Sequence, residues 1–420
     1  MPSDDVAPSA SIRKPVSLWK NRDYMILWSG QSVSTLGSGV SQLAYPLLAL
    51  ALTHSPAQAG LVGAMFGLPF VLFSLPAGAY VDRWDRKRVM MICDGIRALN
   101  AGSIPVAAAL GVLGMGQLYG TSLVEGTCFV FFNVAETAAL PRVVEKSQIP
   151  AASSQNQASQ AAGALISPPL GGLIFQSLGR TVPFLLDSVS YAVSVASLFL
   201  IRTQFQLDRT APRRSLSTEI MEGLRWLWGQ PLIRYMGLLT GGLNFVTSGT
   251  FLIILIIAKH QGASPSLIGV MFAIGAVGGL LGAMVAPSIQ KRFGFTQVIV
   301  TTVWIQALSI PLFAVAPNVV ILGVLGGISF AVSPIYNAVQ FSYRMAIIPD
   351  ALQGRVNSAM RLAIFGTMPV GSVLAGVLIQ GFGAVTSVLV FGGVIVTLAT
   401  ITSLNPQVRS ARPNEEVYAS

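Results

Sequence analysis

Apolar residues dominate the chain in long runs, and the polar residues between them fall at near-regular intervals. The runs are predicted as helices over 24–50, 59–80, 90–113, 117–140, 153–177, 182–201, 232–259, 266–289, 296–315, 318–345, 354–379 and 384–404. Each is close to the ~20 residues that cross a bilayer, and short breaks rich in Pro, Gly and polar residues separate them. The pattern predicts an all-α membrane protein with twelve transmembrane helices in two six-helix bundles. The expected divisions are a disordered cytoplasmic tail (1–20), an N-terminal bundle (21–201), a cytoplasmic linker (202–231), a C-terminal bundle (232–404) and a second cytoplasmic tail (405–420). Within the linker, STEIMEGLRWLWGQ reads as an amphipathic helix at the membrane face, anchored by Trp226 and Trp228.

Composition agrees. Of 420 residues 53% are hydrophobic and only 10% are charged, against roughly a quarter charged in soluble domains. The formal charge of +10 would fit a nucleic-acid partner, but its distribution does not. Of the 26 Lys and Arg residues, all but Arg180 and Lys259 fall on alternate connections, the set that includes both ends of the chain. The positive-inside rule puts that set in the cytoplasm of a cell (inner) membrane. Membrane lipid, with its anionic inner leaflet, is therefore the expected partner, and nucleic acid is not. No cleavable leader is expected, because the first apolar run is already long enough to span. Cys93 and Cys128 read as buried thiols, His54 and His260 lie apart at helix ends, and nothing calls for a metal or cofactor. No GxxxxGK[ST] loop is present, so an ion gradient rather than ATP is the expected energy source.

The halves repeat weakly. Asn156 precedes Pro168 as Asn357 precedes Pro369, and Gly60 aligns with Gly269. Between the second and third runs the sparse charge gathers in GAYVDRWDRKRVMMICD (Gly78–Asp94). With Gly78, Asp82, Arg83, Arg86 and Lys87, this stretch resembles the signature loop of the major facilitator superfamily; Asp85 stands where that signature has Gly. The resemblance covers about Asn21 to Leu404 and implies the major facilitator fold. It implies that Gly78, Asp82, Arg83 and Arg86, with Asp94 and Arg97 one turn apart on span three, form a conformational latch between the halves. SPPLGG, carrying Pro168, Pro169, Gly171 and Gly172, is similar to a helix-five motif of drug–proton antiporters, with Ser167 in place of the first Gly. FFNVAETAALPRVV (Phe131–Val144) and IIPDALQGRVNSAMR (Ile347–Arg361) together resemble the bacterial enterobactin-exporter and macrolide-efflux subgroup.

In that superfamily the cavity lies among spans one, four, seven and ten, and these carry polar or aromatic positions at helical spacing. Gln31, Phe129, Asn133, Asn244, Tyr336, Asn337 and Gln340 are the cavity candidates. Glu125 is expected to be a buried carboxylate, eight residues into span four and roughly 12 Å deep. No Lys or Arg lies within four positions of it on its helix, so it is read as unpaired and as the proton carrier; Asp187 is the second choice, with a structural role near Arg180 favoured for it. The expected activity is proton-coupled efflux of a small amphipathic compound (a drug, macrolide-like antibiotic or siderophore) by alternating access. An uptake symporter on the same fold and a non-transporting membrane sensor or lipid-handling protein stay open as alternatives, and an enzyme is not expected.

Overall fold

The computed structural model describes residues 17–206, 216–349 and 352–411. Among these residues there is helix and no strand. The N-terminal half holds α1 (Arg22–Thr53), α2 (Pro56–Phe73), α3 (Pro76–Arg83), α4 (Arg86–Ala109), α5 (Met115–Val143), α6 (Ile149–Ser177) and α7 (Val182–Leu200). The linker contributes α8 (Leu216–Gly229). The C-terminal half holds α9 (Pro231–His260), α10 (Pro265–Arg292), α11 (Phe295–Leu312), α12 (Val319–Ile347), α13 (Gln353–Phe365), α14 (Met368–Leu404) and the short α15 (Pro406–Arg409). Each predicted apolar run lies mostly in helix, with interruptions at 74–75 and 366–367 and an early end at Ala109. Nine described helices are long and apolar enough to cross a membrane, the last of them running through α13 and α14. The nine do not include α4 and α6, which carry the charges of the Arg86–Arg97 stretch and the Ser/Gln-rich start of span five.

Boundaries differ from expectation where proline intervenes. Predicted span two is two helices, α2 and α3, with a turn before Pro76. Predicted span eleven breaks at Gly366–Thr367, just before Pro369. A proline supplies no N–H to the carbonyl four residues back, so the ladder loses a bond at each point. Predicted spans eleven and twelve run together as α14 apart from Gly383, whose φ of 81° turns the chain. The outer parts of both expected tails, 1–16 and 412–420, lie outside the described residues; just inside them, Leu18–Lys20 forms a 3-10 turn and Pro406–Arg409 forms α15.

The linker is anchored at both ends. Asp23 accepts bonds from the Arg202 and Thr203 backbone, and Phe205 is buried in the N-terminal half. On the other side α8 packs on α13, where Arg355 donates to Glu222 at 2.6 Å and Gly223 lies against the Arg355 backbone. Trp228 is 68% exposed, whereas Trp226 is half-buried and packs against the core.

The halves meet along two seams, α2 with α14 and α6 with α10. Both are tight at the end of the bundle away from the linker, here called the far end. There glycine takes the place of side chains. Gly60 faces the Ser372 carbonyl and Gly376 faces the Pro56 carbonyl; Gly172 faces that of Pro265, and Gly269 that of Pro168. Gly60 and Gly269, aligned by the weak repeat, thus do the same work in the two halves. Gly171 backs onto α1 at Val40. Polar bonds tie the same end: Ser55 Oγ donates to Gln380 Oε1 at 2.7 Å, and Ser266 N–H to Gln176 Oε1 at 3.2 Å. A Cβ at Gly60 would collide with backbone, which cannot yield as a flexible side chain would. Oxidative cross-linking of a Ser55→Cys/Gln380→Cys protein is therefore expected to proceed readily. Adding Gly60→Val should slow it several-fold; equal rates in the two proteins would show that glycine contact does not set the seam.

Candidate functional site

The polar core of the molecule lies inside the N-terminal half, among α1, α4, α5 and α7. Arg97 sits eleven residues beyond Arg86 on α4, about 17 Å along the axis, and is 4% exposed. Its Nε donates to Glu125 Oε1 of α5 at 2.8 Å, and its Nη2 bonds the same oxygen. Its Nη1 lies 3.5 Å from Asp94 Oδ1, one turn back on α4. The guanidinium covers the Tyr191 ring, 4.1 Å from the centroid, with Phe129 at 5.9 Å on another side. Tyr191 OH donates to Glu125 Oε1 at 2.7 Å and shares a 2.7 Å contact with Ser38.

Hydroxyls bond two further carboxylates. Ser194 donates to Asp94, and Gln31 donates to Ser194 at 3.0 Å. Ser41 donates to Asp187, and Ser190 to its other oxygen at 3.3 Å. The Ser41 hydroxyl also lies 3.1 Å from the Ser38 carbonyl, an alternative acceptor for its one proton. Asp94 is 0%, Asp187 2% and Glu125 7% exposed, so three carboxylates lie away from bulk water, two of them, Asp94 and Glu125, on the Arg97 guanidinium.

Three expectations change here. Glu125 is not unpaired: its partner comes from the neighbouring helix α4, where counting along its own helix could not find it. Asp94 and Arg97 lie with Glu125 in the bundle interior rather than at the loop. Asp187 is far from a surface role beside Arg180: it is buried and bonded by Ser41 and Ser190. The links that sequence reasoning passed over are Tyr191 and Ser194. Their signal was present, since Asp187, Ser190, Tyr191, Ser194 and Ser197 form a stripe at three- and four-residue spacing on span six, a span not among the four singled out.

Among the described residues, the bonds seen at the loop of the expected latch run to the N-terminal half. Arg86 Nη1 donates to the Ala138 carbonyl at 3.0 Å, Lys87 Nζ donates to the Ile201 carbonyl at 2.7 Å, and Asp85 caps α4 by accepting from Arg88 N–H at 2.9 Å. These cations sit on carbonyls at the ends of α5 and α7, a favourable use of positive charge at helix C-termini. Arg83 is exposed, and among the described residues no atom lies where a Cβ on Gly78 would sit. Asp82 falls within α3, its side chain outside the described set.

The cavity candidates separate into groups. Phe129 belongs to an aromatic cluster with Phe66 and Phe70, and Phe70 meets Phe365 across the halves at 5.4 Å. Asn133 accepts from Arg361 Nη2 of α13 at 3.3 Å, also across the halves. Asn244 donates to the Ile364 carbonyl at 2.8 Å, beside the break in span eleven. Tyr336 is buried and shares a 2.8 Å bond with Thr240. Asn337 is exposed, and Gln340, 3% exposed, has its Nε2 without a partner. Within the helix-five motif, Ser167 donates to the Leu36 carbonyl at 3.1 Å, so the hydroxyl that replaces Gly is satisfied against α1.

Comparison with known proteins follows this geometry. The profile of the transmembrane secretion effector family matches residues 14–418. The multidrug efflux pump Tap of Mycolicibacterium fortuitum is 25% identical over 391 residues, 89% of this chain and 93% of that one. The enterobactin exporter EntS of Salmonella typhimurium is 25% identical over 387 residues, covering 89% and 90%. Among solved structures, a bacterial homologue of the lysosomal transporter Spinster in an inward-facing, unoccupied conformation superposes with a TM-score of 0.73 at 14% identity, over 93% of this chain and 97% of that one. The nucleoside transporter NupG does so at 0.72 and 15%, over 94% and 100%.

Removing one member of a buried ion pair strands the other, at about 3–5 kcal/mol. Arg97→Gln is therefore expected to lower the unfolding temperature of the purified protein markedly, and Glu125→Gln in the same background to restore most of it. An Arg97→Gln protein as stable as wild type would show that the pair does not hold the bundle. With its buried network on the N-terminal side and its glycine seams, this chain belongs to the transmembrane secretion effector family of major facilitator superfamily transporters.

Proposed function

We propose that the protein is a proton-coupled exporter of a small amphipathic organic compound. One observation carries the reading: Arg97 pairs with both Asp94 and Glu125, and a third carboxylate, Asp187, is buried on α7 with the hydroxyls of Ser41 and Ser190 for partners. With all three ionised, two negative charges would be uncompensated away from water, a costly state that bound protons relieve. A proton arriving at Glu125 removes its attraction for Arg97 and leaves Arg97 to Asp94, so proton occupancy and side-chain pairing are linked in one place. Tyr191 and Ser38 provide hydroxyls along which the bonds re-form.

Alternating access would come from rocking of the two halves about their seams. The positive-inside rule would put the basic end in the cytoplasm, and the glycine seams would then close the outer end. The Phe66, Phe70, Phe129 and Phe365 cluster and the Asn133–Arg361 contact lie where the halves meet inside the bundle. They offer aromatic walls and a few polar groups, a surface suited to an amphipathic cargo. The relatives named as multidrug and enterobactin exporters support the outward direction.

Loss of fluorescent and macrolide-like compounds from an efflux-deficient bacterium expressing the protein is the direct assay. Export should collapse with a protonophore and in Glu125→Gln, while Asp187→Asn should slow it. Export that survives Glu125→Gln would remove Glu125 from coupling, and accumulation in place of loss would reverse the direction.

A further inference from the structure

The six far-end connections contain no Asp or Glu. The ionisable groups at that end are Arg180, Lys259, His54 and His260, and three of the four converge. Arg180, Lys259 and His54 line one open pocket of about 380 Å³, within the range of small-molecule sites. They come from different parts of the fold: His54 caps α1, Arg180 follows α6, and Lys259 lies in the last turn of α9. Arg180 and Lys259 therefore belong to opposite halves. Neither has an ion-pair partner among the described residues. Asp187, the acid nearest Arg180 in sequence, is buried and occupied by Ser41 and Ser190. The floor is apolar, made by Leu47, Leu50, Phe175 and Ile268, each no more than 7% exposed.

Cations on the rim and hydrocarbon beneath define the ligand. We propose that this pocket binds an amphipathic organic anion, its phosphate or carboxylate head between Arg180 and Lys259 and its apolar part on the floor. Because the two cations come from opposite halves, a bound anion bridges the α6–α10 seam beside Gly172 and Pro265 and holds the far end closed. Binding itself is independent of the export reading; the effect on the transport cycle rests on it.

The test uses the full chain in phosphatidylcholine nanodiscs, with unfolding temperature read against added octyl phosphate. A saturable rise is expected. Arg180→Gln and Lys259→Gln should each weaken the apparent affinity about tenfold, the loss of one charged hydrogen bond. Lys291→Gln/Arg292→Gln, at the basic end, should leave it unchanged. Arg180→Lys and Lys259→Arg, which keep the charge, should retain binding and guard against a fold defect in the glutamine variants. A second arm replaces part of the phosphatidylcholine with phosphatidylglycerol and omits octyl phosphate. A rise there that disappears in the glutamine variants identifies a lipid head group as the source; a rise with octyl phosphate alone identifies a soluble anion. No saturable rise in either arm, or an equal rise in wild type and glutamine variants, overturns the proposal. No gradient is used, so failure of proton coupling would leave this result standing.

Discussion

The buried contact of Arg97 with Glu125 is the constraint around which the N-terminal half is organised. Taking two charges out of water costs several kcal/mol each, and the cost is offset only where every remaining polar valence finds a partner. Meeting that condition takes four helices. Glu125 needs the Tyr191 hydroxyl from α7, Asp94 needs Ser194, and both α7 residues are tied to α1 through Ser38 and Gln31. The close approach of α1 and α7 follows, with Gly30 and Gly37 leaving room for Ser197 and Ser190. The same requirement explains why α4, least apolar where the charges fall, is retained within a membrane bundle.

The C-terminal half is assembled by different means. Its main core is aliphatic and aromatic, continuous from α9 through α14. Its interior polar bonds run largely from side chains to backbone near the break in span eleven: Asn244 to Ile364, Ser248 to Met368 and Thr367 to Gly241. Of these acceptors the Ile364 carbonyl is the one left without a helical partner at the break, and the other two bonds tie α9 to the start of α14. One half thus concentrates ionisable groups, and the other concentrates backbone irregularity. The aromatic contact of Phe70 with Phe365 joins the two just before the interruptions in spans two and eleven.

Much of this was legible in the chain because hydropathy reads length directly. The long apolar runs, the amphipathic linker and the glycines of spans two, five and eight were visible as pattern. What escaped depended on neighbours distant in sequence. Arg97 and Glu125 are 28 positions apart, and nothing in either helix announces that they share a level. Position along the chain assigned Arg97 to the loop, whereas depth along α4 carried it into the interior. Asp187 was weighed against Arg180, near in sequence, when its partners Ser41 and Ser190 lie one on a remote helix and one on the next turn. Proline breaks were misread for a related reason: hydropathy is blind to a missing N–H.

The glycine seams separate two properties that other interfaces entangle. Where carbonyls rest on glycine faces, closure depends on backbone shape and owes little to side-chain identity. Residues lining the interior are then free to vary without disturbing the fit that shuts the molecule. Cargo preference can drift over evolutionary time while the machinery of opening and closing stays fixed.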